Sequence, residues 1–222
     1  MISKLDSADA NCIRRVGKLG RIHALGATRP FKLRPALNVD TFGAEPRDWL
    51  LASGMIPRDL KDSWATTAEM ALHAVRHQFQ IRETRTIRLH GDCLDGNILW
   101  TEGGNTTHGG PHFVDLDDAR NGPAVQDLWM LLAGDRATAT KQLRALLEGY
   151  EQFHAFNREE LGLIEPLRTL RLLHYSSWIA RRWEDPAFPA AFPWFGTQRY
   201  WQDRILELRE QTSNMDEAPL SA

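Results

Sequence analysis

The chain has 222 residues, 42% of them hydrophobic, and a formal net charge of -2. That is enough to bury a substantial core, and too balanced in charge to favour nucleic acid or an anionic membrane as partner. Two cysteines, Cys12 and Cys93, exclude a disulfide scaffold and fit a reducing cytoplasm. No apolar stretch is long enough to span a bilayer and the first fifteen residues lack an apolar signal core, so a cytoplasmic protein with no membrane partner is expected.

In chain order, Cys12, Ile13, Val16, Leu19, Ile22 and Leu25 fall on one helical face, and Gly26 ends that helix. Residues 27–55, with Pro30, Pro35 and Pro46, read as a long surface connection with one helical turn near Arg47–Leu51. A second long helix is predicted from Pro57 to Phe79, with Leu60, Trp64, Met70, Leu72, Val75 and Phe79 as its apolar positions. Three short apolar runs, Thr86–Leu89, Asn97–Trp100 and His112–Leu116, are bounded by glycine or acidic residues as strands are. The last two flank the hairpin tip TEGGNTTHGGP (101–111). Pro123 suits a first helical turn leading into VQDLWMLLAG. Further helices are predicted at Ala137–Phe153, Ile164–Trp183 and Thr197–Glu210. The stretch DPAFPAAFPWF (185–195) carries too much proline for a helix and is expected as an ordered aromatic loop. Four of the eight tryptophans, Trp178, Trp183, Trp194 and Trp201, lie in the last fifty residues and read as aromatic core. One domain over residues 1–222 is expected, with a core of about 10–210 and residues 211–222 as a flexible tail.

Two segments concentrate acidic and amide groups: LHGDCLDGNILW (89–100) and HFVDLDDARNGPAVQDLW (112–129). Asp92 follows a strand, and Asn97 opens the next. Asp115 sits in an apolar run, where burial is costly unless the carboxylate is paired or metal-bound. If the two strands pair, Asn97 and Asp115 approach at the open end of the hairpin. An amide oxygen and a carboxylate are hard ligands suited to Mg²⁺, and Asp92 beside them can accept a proton from an attacking hydroxyl. Asp92 with Asn97 alone also reads as an Asx turn. Cys93 lies three residues after His90, but nothing else builds a thiol-nucleophile site. His73 and His77 have a metal-compatible spacing without the glutamate that would support it, and read as an exposed helix face.

The pattern H-G-D-x-x-x-x-N followed by a hydrophobic-Asp segment resembles the catalytic and metal-binding loops of the aminoglycoside phosphotransferase/choline kinase-like family, which have counterparts in protein kinases. The longer strings HGDCLDGNILW, GPHFVDLDDARNGPAVQDLWMLL, GLIEPLRTLRLLHY and RRWEDPAFPAAFPWF resemble a bacterial stress-response branch of that family, Ser/Thr protein kinases of this fold. The resemblance implies an α+β, mostly α architecture: a protein-kinase-like C-terminal lobe whose small antiparallel β-hairpin carries both loops. It implies Asp92 as the catalytic residue orienting or deprotonating the acceptor hydroxyl, and His90 as fixing that catalytic loop. Asn97 and Asp115 would hold Mg²⁺ against the phosphates of ATP. Asp117 is a further candidate ligand, with a solvated turn formed by Asp117 and Asp118 as the other reading. Asp127 would brace the catalytic loop from the following helix.

The phosphoacceptor implied is a Ser/Thr protein substrate; a small-molecule alcohol, as for aminoglycoside or choline-like kinases, is the alternative, and a non-catalytic, pseudokinase-like binding module is a third. Two departures stand out. The residues before Asp92 read as helices and a proline-containing connection, so the strand-rich N-terminal lobe that covers the nucleotide has no counterpart and is expected to be missing or supplied as a separate chain. Asp115 also follows Asn97 by 18 residues, a longer hairpin than the family pattern. Weak ATP affinity and little turnover are therefore expected of this polypeptide alone.

Overall fold

The computed structural model describes residues 17–101 and 109–221; Cys12, Ile13 and Val16 of the first predicted helix, and most of the hairpin tip, lie outside the described residues. The described residues form two compact units. One comprises residues 17–36, 84–101, 109–161 and 219–221, the other Leu37–Glu83 and Gly162–Ala218.

The first unit begins with helix α1 (17–26). Four strands follow, β1 (Thr86–Leu89), β2 (Ile98–Thr101), β3 (Gly110–Phe113) and β4 (Arg120–Pro123), then helices α4 (Val125–Trp129) and α5 (Arg136–Tyr150). The strands make two separate antiparallel pairs, β1 with β4 and β2 with β3. Strand β4 differs from the expectation. Pro123 closes it opposite Thr86, and the helix starts only at Val125. The sequence RNGP has no strand-like alternation because all four residues are buried. Its Asn121 side chain supplies a further edge, taking the Phe31 amide at 2.8 Å and donating to the Phe31 carbonyl at 2.9 Å. Strand β3 ends at Phe113 rather than Leu116, and β2 starts at Ile98 because Asn97 closes a 3-10 turn, Asp95–Asn97. Asp135 caps α5 by accepting from the Thr138 amide at 2.8 Å, and the Thr138 side chain first and then its amide lower the Asp135 pKa. Helix α1 lies close against the end of α5: a Cβ at Gly20 would stand 2.6 Å from the Tyr150 carbonyl oxygen.

The second unit is helical. A π-helical turn, Asp40–Ala44, leads into α2 (Glu45–Ser53), followed by α3 (Arg58–Gln80), α6 (Ile164–Ala180), α7 (Ala187–Ala191) and α8 (Gln198–Asn214). Helix α3 buries Trp64, Ala68, Ala71, Leu72 and Val75 on one stripe. Trp64 meets Trp201 of α8 edge to face with centroids 6.0 Å apart, a geometry worth about 1 kcal/mol beyond burial. Met70, expected in that stripe, points away from it and is 62% exposed. His73 and His77 are exposed, as expected.

The proline-rich stretch is not all loop. Pro186 caps α7 and Pro189 stands in its first turn, where a missing amide removes no helical bond. Around it the aromatic residues pack on one another. Phe188 and Phe192 lie 5.2 and 6.2 Å from Trp178, and the buried Phe195 contacts Trp183, Tyr200 and Trp201. Thr197 caps α8, which runs past the expected residue 210 to Asn214; Met215 is buried and its carbonyl accepts from Gln78 at 3.1 Å, so residues 211–215 belong to the packed unit. The mostly helical architecture with a small antiparallel hairpin matches the expected class. No helix among the described residues is long and apolar enough to cross a membrane.

Candidate active site

Every candidate residue named from the sequence lies in the first unit, around the turn that links β1 to the Asp95–Asn97 segment. Gly91 has φ +91°, and a Cβ there would sit 2.1 Å from the Asp118 carbonyl oxygen, so this position requires glycine twice over. The turn is gripped from α4. Asp127, fully buried, accepts the His90 amide at 2.7 Å on one oxygen and the Gly91 amide at 2.9 Å on the other. Gln126 of the same helix donates to the Gly91 carbonyl at 3.3 Å. The Asp127 carboxylate also accepts from His23 Nε2 at 2.9 Å, and His23 Nδ1 lies 2.9 Å from the Tyr150 hydroxyl. Three buried side chains from α1, α4 and α5 thus stand behind one turn of backbone.

His90 itself is 1% exposed, and its Nε2 donates to the Val114 carbonyl at 2.8 Å. Its contacts are with the loop. The Val114 amide in turn donates to the Asn97 carbonyl at 3.0 Å, continuing the β2–β3 ladder by one step. Val114 is therefore held on both sides, and Asp115 is the next residue. Asn97 Nδ2 donates to the Asp92 carbonyl at 2.9 Å and to Asp92 Oδ2 at 3.2 Å. These contacts bring Asp92, Asn97 and the backbone leading to Asp115 together.

Asp115 corrects one expectation. It is not buried in a strand: it lies beyond β3, is exposed, and has φ 62°, a left-handed conformation unusual for a non-glycine residue. The apolar neighbours that suggested a strand, Val114 and Leu116, flank a turn. The Asp115 carboxylate makes no hydrogen bond or ion pair among the described residues, and Asn97 keeps Oδ1 as an acceptor because its amide nitrogen is taken up by Asp92. Asp117 is exposed too, whereas Asp118 is engaged in the fold. Its carboxylate pairs with the Arg120 guanidinium, and its carbonyl accepts from Arg120 Nε at 2.7 Å. Burial lowers the Arg120 pKa, with Asp118 opposing the shift. Among the described residues no three His, Cys, Asp or Glu side chains form a metal-ligand cluster. Cys93 is fully buried and its pKa is raised, first by burial and then by Asp127, Asp92 and Asp95, the opposite of what a nucleophile requires.

Sequence reasoning did not find Arg34. One of its nitrogens, Nη1, donates to the carbonyls of Leu116, Asp117 and Ala119 at 3.2, 2.6 and 3.1 Å, which fixes the loop after Asp115 from outside. Nor did it single out His23. Nothing local marks either side chain as a partner of residues about a hundred positions away.

Residues 6–164 match the profile of the phosphotransferase enzyme family, APH. The chain belongs to that family. Among relatives within it, Stress response kinase A of Salmonella choleraesuis is 46% identical over 202 residues, covering 91% of this chain and 59% of that protein. The protein called Serine/threonine protein kinase RdoA in Salmonella typhimurium has the same identity and coverage, and Stress response kinase A of Escherichia coli is 45% identical over the same span. The chain thus spans 59% of the length of these curated relatives. Solved phosphotransferases show the same fold. Amicoumacin kinase hAmiN, in complex with AMP-PNP, Ca²⁺ and Ami, aligns with a TM-score of 0.59 at 18% identity, over 95% of this chain and 60% of that one. A microcompartment-associated aminopropanol kinase gives 0.58 at 14%, over 92% and 62%.

Proposed function

We propose that this chain is the phosphate-transfer part of an ATP- and Mg²⁺-dependent kinase whose acceptor is a serine or threonine hydroxyl of a protein. The observation that carries the reading is the arrangement of Asp92, Asn97 and Asp115. One side chain, Asn97, orients Asp92 through its nitrogen, and the main-chain carbonyl of the same residue accepts from Val114, the residue before Asp115. The donor set fits a hard divalent cation: an amide oxygen and a carboxylate without a partner among the described residues, both hard oxygen ligands. Asn97 and Asp115 would hold the ion, which when bound offsets the charge of the phosphates. Asp92 is half-buried and held at both its carbonyl and its carboxylate, as a base that must meet an incoming hydroxyl should be. His90 and Asp127 keep the turn in place.

A protein acceptor is favoured by the name of the Salmonella typhimurium relative. Leu33, Leu94, Leu99, Trp100 and Leu116 are exposed in the unit that carries the site, Leu33 at 99%. A nucleotide-covering lobe, in the same or a separate polypeptide, would offer exposed apolar side chains of this kind cover. The chain alone should accordingly bind Mg-ATP weakly and turn over slowly.

Titration calorimetry of nucleotide with and without Mg²⁺, on this chain and on Asp115→Ala, tests the site. Binding should require the metal and be lost in the variant; binding indifferent to both would leave a scaffold without phosphotransfer chemistry. Transfer from labelled ATP to a panel of Ser/Thr proteins and small alcohols tests the acceptor, and labelling confined to the alcohols would overturn the protein assignment.

A further inference from the structure

Glu160 lies in the 3-10 turn Arg158–Leu163 after α5 and is 2% exposed. The β1–β4 ladder ends at Thr86 opposite Pro123, which has no amide to offer. Beyond that point the amides of Arg85, Ala124 and Val125 would be stranded, the last two in a buried stretch. Glu160 Oε2 accepts the Val125 amide at 3.0 Å, and the Ala124 and Arg85 amides are also directed at the carboxylate. Ala124 and Val125 open α4, the helix whose Gln126 and Asp127 hold the catalytic turn. Arg85 precedes β1, the strand that runs into it.

We propose that Glu160 is a positioning residue for the catalytic loop, a buried carboxylate that fixes the head of α4 against the root of β1 and so sets where His90, Gly91 and Asp92 sit. Its importance for catalysis rests on the kinase reading of Asp92; the geometry does not. Burial raises the Glu160 pKa to about 7 while the three amides pull it back, so the group changes charge in the neutral range. The titratable groups around it are Tyr150 of α5, whose own pKa is raised by burial, then by Glu160 and Asp127; Arg85 at the root of β1; and His23 and His154, whose rings touch that of Tyr150. The ionised carboxylate can accept from all three amides with both oxygens. Once protonated, it turns an O–H toward a set of donors and holds them less well.

Global stability responds to pH in the opposite sense. The folded pKa lies above the ordinary carboxylate value, so Glu160 favours the folded state at low pH and this contribution is lost as pH rises through about 7. That opposition separates a positioning role from a merely structural one. Amide exchange is followed by NMR on the full chain between pH 6 and 8, corrected for the intrinsic rate. Protection of His90, Gly91 and Val125 should rise about tenfold, the difference between a neutral and a charge-assisted hydrogen bond. Core amides such as Leu170 should lose protection over the same range. Glu160→Gln should hold the three amides at the weaker level at every pH. Protection that stays flat or falls with the core amides, or a rise that survives in Glu160→Gln, overturns the proposal. If that variant does not fold, the wild-type series decides alone. Nucleotide binding by Asp115→Ala is a separate readout. Its indifference to the substitution, with the pH-dependent protection intact, would sink the kinase reading and leave this inference standing.

Discussion

Replacing Asp127 with alanine should be the most damaging single change in the first unit. The carboxylate serves three donors at once: the His90 amide at 2.7 Å, the Gly91 amide at 2.9 Å and His23 Nε2 at 2.9 Å. Asp127, His23 and His90 are all at or below 1% exposure, so water does not reach the stranded groups without local opening. Each buried donor left without a partner costs about 1–3 kcal/mol. Relaxation around the lost side chain reduces the sum to roughly 3–5 kcal/mol, the upper end of what single substitutions cost. Against a total stability of about 5–15 kcal/mol, that is enough to populate an opened His90–Asp92 turn. Urea unfolding should show the loss, and exchange at His90 and Gly91 should approach the rate of exposed amides. Asp127→Asn keeps one acceptor oxygen but presents an N–H₂ group to a donor, and should fall between the two. A loss below about 1 kcal/mol with the protection of both amides intact would refute the argument that this carboxylate anchors the turn.

Gly91→Ala should cost about 2–3 kcal/mol or more, because positive φ and contact with the Asp118 carbonyl act together; thermal unfolding measures it. Arg34→Met removes a clamp that is exposed, so unfolding free energy should change by less than about 1 kcal/mol. Exchange at the loop amides Asp117–Ala119 should nevertheless accelerate, and Mg-nucleotide affinity should drop. Wild-type stability should fall by on the order of 3 kcal/mol between about pH 4.5 and pH 7.5 through Glu160, following its pKa rise from 4.5 to about 7, whereas Glu160→Gln should lose that slope; melting temperatures across the range check it. Asp92→Asn should leave nucleotide binding intact and reduce phosphate transfer about a hundredfold or more.

The long helices were readable because their apolar spacing reports burial directly: Trp64, Leu72 and Val75 of α3 are all buried where the period placed them. Strand β4 was not. RNGP is buried on every side and pairs with β1 through a register that only the folded chain supplies. Asp115 misled for a related reason. Apolar residues on either side of a carboxylate suggest a strand, but here they flank a left-handed turn that leaves the carboxylate exposed. Asp92 and Asn97 could be picked out because they are five residues apart in one loop. Arg34, His23 and Glu160 act across 35 or more positions on backbone groups and buried side chains, and contacts of that kind leave no local pattern.

The pairing of β2 with β3 also has a practical side. Ile98 stands opposite Phe113 and Thr101 opposite Gly110, and the Asn97–Val114 hydrogen bond closes the end of the ladder nearest Asp92. Because the register is set at that end, the length of chain between Thr101 and Gly110 does not enter the geometry of Asn97 and Asp115. A fluorescent reporter or affinity handle could be inserted there, at an entropic cost that grows only slowly with length. If the site binds nucleotide as proposed, such a reporter would register the binding from outside the β2–β3 ladder.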